Sequence, residues 1–467
     1  MGSKMRLFDD ETMRDFIVNG YCVLRPDLPK SFHDTIYEKT EAVFAKEGNP
    51  GNNLLPRIPE VQKVYDDPAV HGALSSLVGP DYAMHSHRHP HFNGPDSNGG
   101  GWHKDSYWGF SKVRDHHPRW VMAMYYPQDV PFEIGPTGAI PGSQYFESQV
   151  PRLPSAHEQA VDPDGIGFPL IGEAGTVVVI HFDLWHRAFP NNTMKNRYMF
   201  KFQFTRMNEP SEAQWNKRAE ELPLGALSDH VRSPIWRQMW SWLSGASEFK
   251  ATGHAFTLKQ ALRDSSEEIR MNAAYTLGGL GEEGLMVLLD GLHEEQLEVK
   301  RESCYGLTAV GPRALPRLIR ALRADNEKTR AYAVYAIGDM AWKAEEAIPA
   351  LTPLADDSSE FVRRNVADAL GQIRAQAGDA VPTLIRLAQD PDPQVRFNAV
   401  YGLAKFRSEA AAAIPVLADA FYDENRYVQG HAAIALEQIG TPEAVRALLH
   451  QLQTSRWCPV TTKESTF

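Results

Sequence analysis

Arg197-Tyr-Met-Phe-Lys-Phe-Gln-Phe-Thr205 decides the architecture of the N-terminal part of the chain. Its side chains alternate strongly with period two, the pattern of a strand whose two faces meet different surroundings. Just upstream, Gly175-Thr-Val-Val-Val-Ile-His-Phe-Asp-Leu-Trp-His186 is long and rich in β-branched residues, and Arg119 to Tyr126 is an apolar, aromatic run. Both read as strands. Turn signals punctuate them at Asn93-Gly94-Pro95, Gly99-Gly100-Gly101, Gly135-Pro136 and Pro190-Asn191-Asn192. Ahead of the strands come a helical pattern from Glu11 to Asn19, a strand Tyr21 to Arg25, and a long helix from about Ser31 to Ala45. Many short strands behind leading helices predict a β-barrel or jelly roll with helical cover.

Inside that β region, Gly101-Trp102-His103-Lys104-Asp105 is the sharpest local feature. His and Asp at i and i+2 on a strand leave the same face, so His103 and Asp105 can reach one metal ion. His181 and His186 are the candidates for a third ligand, on opposite faces of their strand. His186 is the better placed: it ends the strand beside the turn Phe189-Pro-Asn-Asn-Thr193, and a strand opens with Arg197 eleven residues later. Two His and one carboxylate form the facial triad of non-haem iron oxygenases, with positions left open. Arg197 adds a fixed, always-charged fork for a carboxylate, which points to a 2-oxo acid co-substrate.

Around this centre the chain is long: 467 residues, at roughly 150 per domain, predict about three units, or two with one elongated. Hydrophobic residues are 43% and charged residues 23%, which excludes a mainly disordered chain. No apolar run approaches the ~18–20 residues that span a bilayer. The opening MGSKMRLFDDETMRDF has no signal-peptide core, and Arg6 stands where a myristoylation signal wants Ser or Thr. The net charge of −11 disfavours binding to a phosphate backbone. Three distant cysteines, Cys22, Cys304 and Cys458, argue against a disulfide framework and for a reducing compartment, so a cytoplasmic location is expected.

The C-terminal part repeats. Leu277, Leu307, Ile337, Leu370, Leu403 and Leu436 are spaced by 30, 30, 33, 33 and 33 residues. Seven residues before each stands Arg270, Lys300, Arg330, Arg363, Arg396 or Gln429, and a proline recurs at Pro316, Pro349, Pro382 and Pro415. Each copy reads as two helices. The first begins at an acidic cap and is expected to end at a glycine such as Gly278, Gly338 or Gly371; the second carries proline in its first turn. Stacked pairs bury what one pair cannot, and the recurrent Asp and Arg are expected to link neighbours. The six copies look like HEAT-like repeats over 254–456, followed by a tail at 457–467. Between the parts, residues 207–253 hold Trp215, Trp236, Trp240 and Trp242 and read as helices that dock the two together.

The first 206 residues resemble the phytanoyl-CoA dioxygenase family. The matching elements are Phe16-Ile-Val-Asn-Gly-Tyr21, Gly79-Pro80, Ala83-Met-His85, His103-Lys-Asp105, Gly135-Pro-Thr137 with Pro141-Gly-Ser143, and His186 through Pro190-Asn191 to Arg197. The resemblance implies a double-stranded β-helix, jelly-roll and cupin-like, and an Fe(II)/2-oxoglutarate-dependent oxygenase that uses O2. It implies that His103, Asp105 and His186 bind iron and that Arg197 holds the distal carboxylate of 2-oxoglutarate. Lys63, in Gln62-Lys-Val-Tyr-Asp66, resembles a family lysine that touches the same co-substrate. Related halogenases lack the carboxylate that Asp105 supplies, so hydroxylation of a small-molecule C–H bond, with release of succinate and CO2, is the expected outcome. The chain departs from many relatives at Ala188, where a small hydroxyl residue would help hold that carboxylate.

Remaining residues are expected as follows. His85 and His87, with Trp102, Tyr107 and Trp108, are candidates to line the substrate, against core packing as the plainer reading. Arg88 and Arg114 are the basic residues that would suit an anionic substrate. His181 reads as a structural histidine, and His116-His117 as a surface loop. The partners expected are a small molecule and, through the repeats, a protein; neither nucleic acid nor membrane is expected. Two further readings stay open: a repeat scaffold with a vestigial oxygenase domain, and a cupin-type enzyme using another metal without 2-oxoglutarate, which would leave Arg197 without a task.

Overall fold

A computed structural model describes residues 5–106, 112–149, 167–246 and 250–454. It separates into two compact units, Met1–Met340 and Ala341–Phe467.

The first unit opens with helix α1 (Asp10–Asn19), capped by the Asp9 carboxylate, which accepts from the Thr12 N–H. Strand β1 (Tyr21–Leu24), helix α2 (Lys30–Glu47) and short helices α3 (Leu54–Arg57), α4 (Gln62–Tyr65) and α5 (Pro68–Val78) follow. Then come β2 (Ala83–Asn93), β3 (Trp120–Tyr125), β4 (Thr137–Ala139), β5 (Phe168–Leu170), β6 (Val177–His181), β7 (His186–Ala188) and β8 (Arg197–Thr205). One antiparallel sheet runs β1-β6-β3-β8-β2 and a second runs β5-β4-β7. The architecture is the expected double-stranded β-helix with helical cover, joined to an all-helical repeat array.

Alternation in β8 sorts its side chains between the two faces of the sheet. Tyr198, Phe200, Phe202 and Phe204 leave one face, where Tyr65 of α4 stacks on Phe202 at 4.3 Å and Phe44 of α2 meets Tyr198 at 4.9 Å. Each such buried ring stabilises the cover by about 1.5–3 kcal/mol. Arg197, Met199, Lys201, Gln203 and Thr205 are left for the opposite face.

Two local expectations change. Gly175 to His186 is not one strand: β6 ends at His181, and after a turn His186 opens β7 in the other sheet. His103 makes a single antiparallel bridge to His186, and Asp105 lies in the turn that follows, so the motif is not part of a longer strand.

Helix α6 (Ser233–Leu243) buries Trp236 and Trp240. Trp240 meets Trp215 edge to face at 5.0 Å, and the Trp215 indole donates to Asp10 of α1 at 2.9 Å. The expected surface loop His116-His117 is instead buried against the first repeats. His116 Nδ1 is 2.6 Å from the Tyr275 hydroxyl, and its ring stacks on Tyr305 at 3.8 Å. His117 stacks on Trp242 at 4.2 Å and bonds Asp339 at 2.9 Å. Glu267 accepts from the N–H groups of Glu147 at 2.6 Å and Ser148 at 2.9 Å. The partners lie 119 to 222 residues away in sequence, so a local reading of a His-His-Pro turn misses them.

Among the described residues, six repeats can be traced. Their first helices are Glu267–Gly278, Leu297–Val310, Glu327–Asp339, Glu360–Ile373, Pro393–Phe406 and Arg426–Ile439. In the second unit, Arg363 pairs with Asp390 at 2.7 Å and Arg396 with Asp423 at 2.6 Å, the expected link between neighbours. Gly278 closes its helix as expected, but the other two glycines do not stop theirs. Gly338 and Gly371 lie inside theirs, and a Cβ on Gly371 would stand 2.6 Å from the Gly402 Cα. Gly371 is a place where two helices approach closely. Among the described residues, no helix is long and apolar enough to cross a membrane.

Candidate metal centre

The bridge between His103 and His186 builds the site. Each backbone N–H donates to the other's carbonyl at 3.0 Å, which holds the two residues side by side with ring centroids 4.4 Å apart. His103 Nδ1 lies 2.9 Å from the Gly101 carbonyl, and His186 Nδ1 lies 2.9 Å from the Leu184 carbonyl. A proton on each Nδ1 leaves each Nε2 as a free lone pair, the tautomer a metal needs. Both Nε2 atoms face Asp105, at 3.8 Å for His103 and 3.9 Å for His186. Potential ligand atoms of the three residues lie within 4.8 Å of one another.

Charge and burial favour a cation here. His186 is buried, and desolvation pushes its imidazole down to about 4, against the pull of Asp105. Burial alone would raise the Asp105 carboxyl, but Lys201 and the two histidines hold it below the usual carboxylate range. The centre therefore offers a neutral His186 imidazole and the Asp105 carboxylate, with the His103 Nε2 beside them, a donor set that fits iron(II).

Arg197 opens β8 with 1% of its surface exposed. Its Nε donates to the Gly135 carbonyl at 2.9 Å, while its Nη2 is buried with no hydrogen-bond partner among the described residues. Gly135 turns at φ 74°, and a Cβ there would meet the Asn93 amide and Phe189 carbonyl at 2.5 Å. Only glycine fits that turn. Thr137 pairs directly with Ala188 across the β4–β7 ladder, so the two side chains share a face with His186. Its buried hydroxyl also lacks a partner among the described residues, and its N–H lies 3.3 Å from the Tyr126 hydroxyl. A bare guanidinium end and a bare hydroxyl fit a carboxylate, and Thr137 offers the hydroxyl that position 188 does not.

Among the other candidates, His85 is buried with its ring edge-on to Trp120 at 5.3 Å. The β2–β8 pairing shifts between Met84 and Arg88, and beyond it His89 stands opposite Lys201 and His91 opposite Met199. His87 stacks on His89 at 6.0 Å. Trp102 lies beneath the Arg187 guanidinium at 4.9 Å. Tyr107 and Trp108 fall outside the described residues. Lys63 is not brought to the site: it is exposed on α4, whose Tyr65 packs against the Phe202 face of β8, while Arg197 leaves the other. His181 is structural, with Nε2 3.2 Å from the His116 carbonyl and Nδ1 accepting from the Asp183 N–H at 3.1 Å. Lys201 was missed by sequence reasoning. Its signal was available: a lysine in phase with Arg197 on an alternating strand.

Residues 18–199 match the family model for phytanoyl-CoA dioxygenase, and 315–379, 362–423 and 381–462 match the model for HEAT repeats. Solved structures with similarity include the non-heme alpha-ketoglutarate-dependent carbocyclase SnoK from nogalamycin biosynthesis. It is 17% identical, with a TM-score of 0.36, over 44% of this chain and 88% of that one. The non-heme monooxygenase ThoJ, as a nickel complex, is 17% identical, with a TM-score of 0.32, over 49% and 97%. HygX from Streptomyces hygroscopicus, with nickel and 2-oxoglutarate bound, is 16% identical, with a TM-score of 0.33, over 42% and 86%. No curated protein matches the chain.

Proposed function

For a chain that joins a phytanoyl-CoA dioxygenase segment to HEAT repeats, we propose an Fe(II)/2-oxoglutarate-dependent dioxygenase that hydroxylates a C–H bond of a small molecule. The observation that carries this is the pairing of a complete His103, Asp105 and His186 ligand set with an Arg197 whose Nη2 is buried and bare. A scaffold reading gives neither feature a purpose, and a cupin-type enzyme without a 2-oxo acid leaves the guanidinium unused.

Bound there, Fe(II) and 2-oxoglutarate would supply oxidation by O2: one oxygen atom enters the substrate, the other enters succinate, and CO2 leaves. The chain's own residues bind and orient. His103 and His186 present Nε2, fixed by their Nδ1 contacts to Gly101 and Leu184. Asp105 supplies the negative charge. Arg197, braced by Gly135, and Thr137 would hold the distal carboxylate, so β4 and β8 together would set where the co-substrate sits. Met199 and Lys201 continue the same face of β8 past Arg197.

Anaerobic reconstitution with Fe(II), followed by a substrate panel read as succinate release, tests the proposal. Stoichiometric iron and substrate-stimulated succinate are expected. A purified chain that binds neither iron nor 2-oxoglutarate would return the vestigial scaffold as the better reading.

A further inference from the structure

Two cations leave one face of β8. Lys201 follows Arg197 by four residues, about 13 Å along a strand that rises ~3.3 Å per residue. Lys201 is 4% exposed, and its ammonium lies 2.6 Å from Asp105 Oδ2. Across the ladder, His89 and His91 share this face, and His91 Nε2 is buried with no hydrogen-bond partner among the described residues. The two arginines expected to serve an anion are engaged elsewhere. Arg114 pairs with Glu147 at 2.8 Å and approaches Asp183 at 3.9 Å, and Arg88 Nε donates to the His85 carbonyl at 3.2 Å. Among the described residues, Lys201 is the lysine that bonds a member of the ligand cluster.

The charges, taken on the iron and 2-oxoglutarate reading above, do not cancel. A divalent ion brings two positive charges, Arg197 and Lys201 one each. Asp105 returns one negative charge and a dicarboxylate two. One positive charge remains beside a buried lysine whose carboxylate partner the metal now shares, and a buried charge without a counter-ion is costly. Arg197 is answered by the co-substrate; Lys201 is not. We infer that the substrate carries a carboxylate or phosphate group, that Lys201 binds it, and that His89 and His91 line the same wall.

The inference rests on the proposed function, and the experiment separates the two. Nickel(II) and then N-oxalylglycine are titrated calorimetrically into the full chain and into Lys201→Gln. Acetate and inorganic phosphate are then titrated into each loaded protein. The nickel and N-oxalylglycine steps, read first in each protein, show how far Lys201→Gln alters the ligand set itself, and anion affinities are compared between the loaded proteins. One of the two anions should saturate the wild type, and Lys201→Gln should weaken it by about ten- to a hundredfold, as for a charge-assisted hydrogen bond. Saturation by acetate assigns a carboxylate; saturation by phosphate assigns a phosphate ester. The inference is overturned if neither anion saturates the wild type, or if Lys201→Gln binds the anion as well as wild type. Loss of nickel in Lys201→Gln would also overturn it, since Lys201 would then only support Asp105. Failure of the wild type to bind nickel or N-oxalylglycine is read in the first titration; it sinks the cofactor reading and this inference with it.

Discussion

The carboxylate of Asp339, at the end of the third repeat's first helix, lies 2.6 Å from the Arg119 guanidinium at the foot of β3. Both side chains are almost wholly buried, and His117 bonds the same carboxylate at 2.9 Å. Arg119 also makes a two-pronged contact to Glu209, at 2.8 and 2.9 Å. Removing Asp339 leaves Arg119 with Glu209 but takes a buried, charge-assisted partner from both Arg119 and His117, at a cost of about 1.5–3 kcal/mol. Asp339→Ala should therefore lower the denaturation midpoint of the first unit measurably. A midpoint within experimental error of wild type would show that the pair contributes nothing to holding the repeats in place.

Metal binding should follow the bridge pair and not the third histidine nearby. His103→Ala or His186→Ala should abolish iron uptake with the fold retained. His181→Asn should keep iron and lose stability, because His181 serves the His116 carbonyl and the Asp183 N–H. Iron occupancy measured on the purified variants decides this. Loss of metal in His181→Asn with full occupancy in His186→Ala would reverse the assignment.

The carboxylate anchor should divide unequally between two residues. Arg197→Ala should raise the 2-oxoglutarate requirement by about ten- to a hundredfold, the worth of a charge-assisted contact, with iron binding intact. Thr137→Val should cost less, about two- to tenfold, because a single hydroxyl lacks the formal charge and second prong of the guanidinium. An unchanged apparent affinity in Arg197→Ala would remove the main support for the co-substrate.

These residues differ in how far the sequence alone exposed them. The cluster of His103, Asp105 and His186 was legible because coordination chemistry restricts candidate ligands to few residue types, and the burial of Arg197 because β8 alternates cleanly. The repeats were legible because stacked pairs must reuse one pattern. Lys201 was legible in phase but not in partner, since nothing local ties it to Asp105, 96 residues earlier. His116 and His117 were misread for a related reason: their burial is made by residues 159 and 222 positions away. Gly371 carries a signal that capping and close packing share, and only the neighbouring helix tells the two apart.

Acid should destabilise the metal-free protein before its carboxylates titrate. Burial pushes both His181 and His186 down to about 4, while an unfolded chain holds its histidines near ~6.5. Between those values the unfolded state binds the extra protons, so stability rises with pH and is lost as pH falls from about 6.5 towards 4. The slope is roughly 1.4 kcal/mol per pH unit for each group. Urea midpoints taken from pH 7 downward should fall steadily. A midpoint that stays flat from pH 7 to pH 5 would show that neither histidine is held neutral by the fold.

The boundary that matters for making this enzyme should lie near residue 340, and not at the start of the repeats. The unit Met1–Met340 includes the first three first-helices of the array. Those helices supply Glu267 to two N–H groups of the segment at 147–148, Tyr275 and Tyr305 to His116, and Asp339 to His117 and Arg119. A chain ending at residue 253 would uncover all of these together, leaving Arg119 without Asp339 and exposing aromatic surface that a soluble monomer seldom tolerates. A chain ending at 340 keeps every one of them. Expression of both should give a soluble, cooperatively melting 1–340 and an aggregating or poorly folded 1–253. A well-folded 1–253 that binds iron as the full chain does would show that the repeats are an attachment and not part of the catalytic unit.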